Sequence, residues 1–127
     1  MAARIAIVVL AVGAVALLAT RLREHDRCDS ARADVLHRSA ALTDACRDPD
    51  VLAGAAAALV AAGRGERGLA LARESVAREP RSFAGWVAVG LAQRDRDPAA
   101  ARRALARAKV LNPRWPGLPP AAAPRSP

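Results

Sequence analysis

Two cysteines and two histidines carry most of the reactive chemistry this chain offers, and all four fall in one stretch: His25, Cys28, His37 and Cys46. Cys28 and Cys46 are 18 positions apart. In one unbroken helix that is five turns, which would put the sulfurs on the same face but about 27 Å apart, far beyond bonding distance. A disulfide therefore requires the chain to fold back near Ser39, tying the start of one short helix to the end of the next. Such a bridge would stabilise a hairpin with little core by about 3 kcal/mol. The pattern His25-x2-Cys28-x8-His37-x8-Cys46 also raises a metal site, although it matches no common zinc spacing and contains no CxxC knuckle. Disulfide, free or buried thiols, and metal site are the three chemistries these residues leave open.

Elsewhere the composition argues against an enzyme. The chain has 127 residues, with one Phe, two Trp and no Tyr, and no glycine-rich phosphate loop. General acid-base and nucleophilic constellations therefore have few candidates, so neither a catalytic residue nor a cofactor is expected. Hydrophobic types fill 53 % of positions, but 34 of these are alanine. A chain so poor in large side chains gains little from a deep core, whereas alanine favours helices and lets their backbones approach.

The elements that must position these residues are helical. Breakers recur at Asp48-Pro49, Gly63-Arg64-Gly65, Glu79-Pro80, Asp97-Pro98 and Asn112-Pro113, and the intervals are rich in Ala, Leu and Arg with no β-type alternation. Before them, Ile5 to Thr20 is free of charge. It is expected to be an uncleaved signal anchor, residues 1–22, with Arg4 and Arg21 snorkelling, because at 1.5 Å per residue it spans only about 24 Å of a ~30 Å hydrocarbon core. A cleaved signal peptide is the alternative, but cutting after Ala16 would fall inside the apolar run. A single-pass membrane protein follows. The charges Arg21, Arg23 and Arg27 favour a cytoplasmic C-terminal part, while the cysteine pair and the short N-terminal tail favour an extracytoplasmic one, which is the orientation adopted.

The formal charge of +8 is unevenly placed. Residues 98–127 hold Arg102, Arg103, Arg107, Lys109, Arg114 and Arg125 with no acid, whereas residues 21–97 hold all 12 acidic side chains and are almost neutral. From Pro98 to Leu111 a helix would be amphipathic, with Arg102, Arg103, Arg107 and Lys109 opposite Ala101, Ala104, Leu105, Ala108 and Leu111. This basic face reads first as the solvated end of a helix stack and second as a docking surface for anionic headgroups or an acidic partner. Nucleic acid is not expected, since no aromatic platform accompanies the charge. The last residues, 117–127, form a Pro-rich tail expected to be disordered, and Trp115 either docks back on the preceding hairpin or meets a partner.

An internal repeat gives the strongest pattern. Gly68, Ala72, Ser75 and Pro80 align at the same spacing with Ala101, Leu105, Ala108 and Pro113, 33 residues later. Trp86, Val89 and Gly90 precede the second set; Gly90 inside a helix costs about 1 kcal/mol relative to Ala and so implies close approach by a neighbouring helix. Together Trp86, Val89, Gly90, Ala101, Leu105, Ala108 and Pro113 resemble the tetratricopeptide repeat (TPR), with Gln93 where that family has tyrosine. An upstream copy is degraded, with Ala53 and Ala57 in the Trp and Gly places.

The resemblance implies an all-α fold: a transmembrane helix followed by a short TPR-like α-solenoid of about three hairpins. Residues 23–49 would form a non-consensus hairpin or cap, and residues 50–116 the repeats. It also implies a concave groove for a protein partner, lined in the better copy by Ala84, Val87, Leu91 and Arg94. The expected function is a membrane-anchored scaffold for protein-protein interaction or complex assembly at a bacterial cell envelope, the bacterial source being suggested by 19 Arg to one Lys. Alternatives are a redox or metal-handling membrane protein using Cys28 and Cys46, or an anionic-surface-binding module using the basic last helix.

Overall fold

Local chemistry sets where the helices begin and end. In a computed structural model, which describes residues 2–118 (side chains at Ile7 and from Val9 onward), the chain forms α1 (Ala2–Ala33), α2 (Ser39–Ala45), α3 (Pro49–Ala61), α4 (Gly65–Arg78), α5 (Phe83–Gln93) and α6 (Pro98–Leu111). The protein is all-α, with no strand among the described residues. Asp48 caps α3 by accepting from the Asp50 amide at 2.9 Å, and Asp97 caps α6 by accepting from the Ala100 amide at 2.9 Å. In both, proline follows at the first helical position, where its missing N–H costs nothing. Ser82 does the same for α5, its hydroxyl accepting from the Gly85 amide at 2.9 Å. Gly63, with φ +75°, ends α3. Its amide donates to Val60 O and the next, Arg64 N, to Leu59 O, which is the Schellman arrangement that glycine permits.

The body is α3 to α6. α3 packs on α4 and α5 on α6, while α5 lies against both α3 and α4. A 33-residue period governs this packing. The first residues of α4 and α6, Gly65 and Pro98, are one period apart, as are their last, Arg78 and Leu111. Burial follows the same register: Leu52 with Gly85, Ala55 with Ala88, Ala56 with Val89, Leu59 with Ala92, Gly68 with Ala101, Leu71 with Ala104, and Ser75 with Ala108 are all buried pairs.

Glycine allows the closest of these contacts. A Cβ at Gly90 would lie 2.3 Å from Leu105 Cδ2 and 2.6 Å from Leu105 Cγ, so the space a side chain would need is filled by α6. A Cβ at Gly68 would lie 2.9 Å from the Ala56 carbonyl oxygen of α3, and one at Gly85 2.8 Å from Val76 Cγ1 of α4.

The N-terminal helix corrects the expected anchor. α1 does not stop at residue 22 but continues without a break to Ala33, through Arg21, Arg23, Glu24, Asp26 and Arg27. Among the described residues no helix is long and apolar enough to cross a membrane. The single-pass membrane location, with its extracytoplasmic orientation, is therefore not upheld. The physical reason lies in the length: sixteen charge-free residues make about 24 Å of helix against a ~30 Å hydrocarbon core. From Ile7 to Leu22 the described side chains of α1 are exposed.

The glycine contacts generate opposite expectations for one substitution at two sites. Gly90→Ala should destabilise the protein by about 1–2 kcal/mol in urea unfolding, because overpacking against Leu105 outweighs the gain in helix propensity. In a Leu105→Ala background the same change should cost nothing or stabilise. Gly54→Ala, where a Cβ would meet nothing within 4 Å, should stabilise by up to about 1 kcal/mol.

Candidate functional site

Cys28 and Cys46 come together as a disulfide, with S–S 2.03 Å and Cα–Cα 4.8 Å. The chain turns back at residues 34–38, and α2 opens on Ser39. That serine does not cap the helix: the capping position is Arg38, and no side chain bonds there. Within this turn the Asp34 carbonyl accepts from the His37 and Arg38 amides at 3.0 and 2.9 Å, which closes it without a cap. His25 and His37 are exposed, and His25 Nε2 lies 3.4 Å from Asp29 on its own helix. No group of three or more His, Cys, Asp or Glu that could hold a metal ion occurs among the described residues, and the sulfurs are bonded to each other.

Three arginines join this N-terminal hairpin to the body. Arg78, in the last turn of α4, donates from Nη1 to Cys46 O at 2.5 Å and from Nη2 to Thr43 O at 2.6 Å, while Nε meets Glu74 Oε1 at 2.8 Å. Its guanidinium thus sits on carbonyls at the C-terminal end of α2, where the helix leaves acceptors unpaired and the dipole favours a cation. Arg64 donates to Leu36 O at 2.7 Å and Arg67 reaches the same carbonyl at 3.4 Å, so the two hold the α1–α2 turn. Beneath these contacts Val35, Leu42 and Cys46 are buried in the same core as Leu52 and Leu59. Sequence reasoning missed all three arginines, and the chain offers no local signal for them, because each reaches a carbonyl at least 28 positions away.

The repeat-packing residues are distributed along the body. Gly90, Ala101 and Ala108 are buried, and Leu105 is half-buried over Gly90. Trp86 packs against the core and donates from Nε1 to Pro80 O at 2.9 Å, which ties α5 to the loop before it. Ser75 stands where the second copy has Ala108, and its hydroxyl donates to Pro49 O at 2.7 Å. Ser82 Oγ reaches Asp50 Oδ1 at 3.2 Å, so one copy is stitched to the start of the other. Pro113 is exposed beyond α6, and Trp115 after it folds back onto Phe83, edge to face with ring centroids 5.3 Å apart. The Lys109 ammonium donates to the Trp115 carbonyl. Residues 119–127 of the Pro-rich tail lie outside the described residues.

The expected groove residues Ala84, Val87, Leu91 and Arg94 are all half-buried along α5. One period earlier, α3 presents Val51, Gly54, Ala58 and Ala61, half-buried in the first case and exposed in the others. The two sets form matching positions on adjacent, packed helices. Their side chains are small and mostly apolar, with no group suited to acid-base chemistry.

The basic residues Arg102, Arg103, Arg107 and Lys109 are exposed on α6. Their register explains two of them. Arg102 and Lys109 occupy the positions of Leu69 and Val76 in α4, and those two pack into the core, Val76 directly beneath α5. Where α4 is apolar to receive the next helix, α6 is charged and faces water.

Comparison with protein-family models, with curated proteins and with solved structures returns no match.

The arginine contacts can be tested by removing the charge. Arg78→Met leaves the Thr43 and Cys46 carbonyls without their donor and should lower stability by about 1–3 kcal/mol in urea unfolding. Arg78→Lys should recover only part of that loss, because one ammonium cannot reproduce the planar guanidinium fork.

Proposed function

We propose that this chain is a short TPR-like helical-repeat scaffold that binds a protein partner along the α3–α5 face. In this reading α3–α4 and α5–α6 are successive repeats, and α2 with the C-terminal part of α1 caps the first. The charged face of α6 is the solvated end of the stack, not a ligand site, since terminal repeats replace apolar contacts with polar ones.

The observation that carries the reading is the 33-residue register of burial. Val51, Gly54, Ala58 and Ala61 stand one period before Ala84, Val87, Leu91 and Arg94, and such a strip of equivalent, incompletely buried positions supports the reading. Helical-repeat proteins use such inner-helix strips as extended binding surfaces. The scarcity of ionisable groups there favours recognition by shape and apolar contact over catalysis.

Site-specific crosslinking tests this directly. A photoreactive amino acid at position 58 or 87, in the cells that make the protein, should give a discrete adduct with one protein, and the same probe at position 106 on α6 should not. Leu91→Glu should abolish the adduct at 87 without lowering the melting temperature. Equal adducts at all three positions would overturn the assignment of the face.

A further inference from the structure

The Cys28–Cys46 bond occupies an unusual mechanical position. Cys28 lies five residues before the end of α1, so about 8 Å of helix separates it from the turn at residues 34–38, whereas about 39 Å of α1 extends beyond it to Ala2. Between Ile7 and Arg27 every described side chain of α1 is exposed. In α1 the core contacts come from Cys28 and Ala31, one half of the bridge and one methyl group.

The turn and α2 are held quite differently. Val35 and Leu42 are buried at 7 % and 0 % exposure, Arg64 binds Leu36 O, and Arg78 binds Thr43 O and Cys46 O. Apart from the buried Cys46 side chain, which stays in the core as a thiol, these contacts do not use the S–S bond. The disulfide therefore fixes the direction of α1 and contributes little to the seating of α2.

The bond is also accessible. A cleft of about 500 Å³ between α1 and the end of α2 is lined by both cysteines together with Arg32, Asp44 and Arg47. Cys46 is 1 % exposed and Cys28 is half-buried, so of the two residues Cys28 is the more open to an incoming thiolate.

We propose that this disulfide is a redox latch on α1: its reduction by a dithiol frees α1 to pivot about residues 34–38 while α2 stays docked on α3–α6. One thiolate of the dithiol attacks Cys28 Sγ, forming a mixed disulfide. The S–S electron pair leaves on Cys46 Sγ, which takes up a proton. The second thiol of the reductant then attacks its own sulfur in the mixed disulfide and releases Cys28, also protonated. Two electrons pass to the protein, which gains two thiols, and the dithiol becomes a cyclic disulfide. The lever ratio turns a small opening at Cys28 into a displacement roughly sixfold larger at the far end of α1. This device is independent of the repeat reading, since it uses neither the α3–α5 face nor a partner.

Single-molecule energy transfer on the full chain tests it. Dyes attached through non-cysteine chemistry at Ala19 and Arg73 would be read in mild detergent, with dithiothreitol as the reductant and alkylation of both thiols confirming reduction. The oxidised protein should give one narrow distance peak. Reduction should at least double its width or shift its mean, and Cys28→Ala/Cys46→Ala should behave as the reduced form with or without dithiothreitol. Amide exchange in α3–α6 should change by less than about threefold on reduction. An unaltered distance peak in alkylated protein would overturn the latch. So would a loss of α3–α6 protection of about tenfold or more, which would make the bridge a support of the whole fold.

Discussion

Each hairpin of the body closes where a glycine or alanine leaves room for an atom of the next helix, and the rest of the architecture depends on that closeness. Leu105 lies over Gly90, Val76 under Gly85, and Val60 and the Ala56 carbonyl against Gly68. With one Phe and two Trp in the chain, wide interhelical gaps could not be filled. Small residues solve this by bringing backbones together, so dispersion contacts between helices replace the burial of large side chains. The core that results is narrow: its largest fully buried side chains are Leu42, Leu52, Leu59, Cys46 and Ser75, and alanines make up much of the rest. Burial recurs at the same positions 33 residues apart, and at some of them, such as Gly68 with Ala101 and Ala55 with Ala88, both side chains are small.

The N-terminal hairpin joins this body by a different principle. α2 is seven residues long, too short to be stable by itself, and it has no side-chain cap at its start. Its C-terminal carbonyls are instead met by Arg78, a cation already ordered by Glu74 one turn away. Arg64 serves the preceding turn, and Leu42 supplies the apolar seat. α1 is then held by one covalent bond to α2 and by the packing of Ala31. The molecule thus grades from a close-packed body, through a hydrogen-bonded adaptor, to a helix attached at one end.

Much of the body was legible in the sequence because its signals are local or periodic. Asp48-Pro49 and Asp97-Pro98 mark helix starts by cap chemistry, and both start helices here. Gly90 inside an apolar helix implied close approach, and Leu105 supplies it. Helix geometry made any Cys28–Cys46 bridge conditional on a fold-back near Ser39, and the bridge is present with its turn at residues 34–38. What was not legible is long-range or depends on the whole helix. No spacing rule directs Arg78 to Thr43 and Cys46, since the contact exists only once α2 lies across α4. The charge-free run from Ile5 to Thr20 suggested a membrane span when read alone, yet it belongs to one continuous helix that carries its charges onward to Ala33, and no described helix is long and apolar enough to cross a membrane. The candidate binding strip was legible only as positions, because small apolar side chains record where a surface lies and little about what it meets.

Neighbouring helices of the body, within and between the hairpins, are closed by side chains filling the space above glycines. Nuclear Overhauser contacts in a methyl-labelled sample test it most directly. The account predicts strong contacts from the Gly90 α-protons to the Leu105 methyls, from Gly85 to the Val76 methyls and from Gly68 to the Val60 methyls. A sample whose circular dichroism is fully helical but which lacks these three contacts would contradict it.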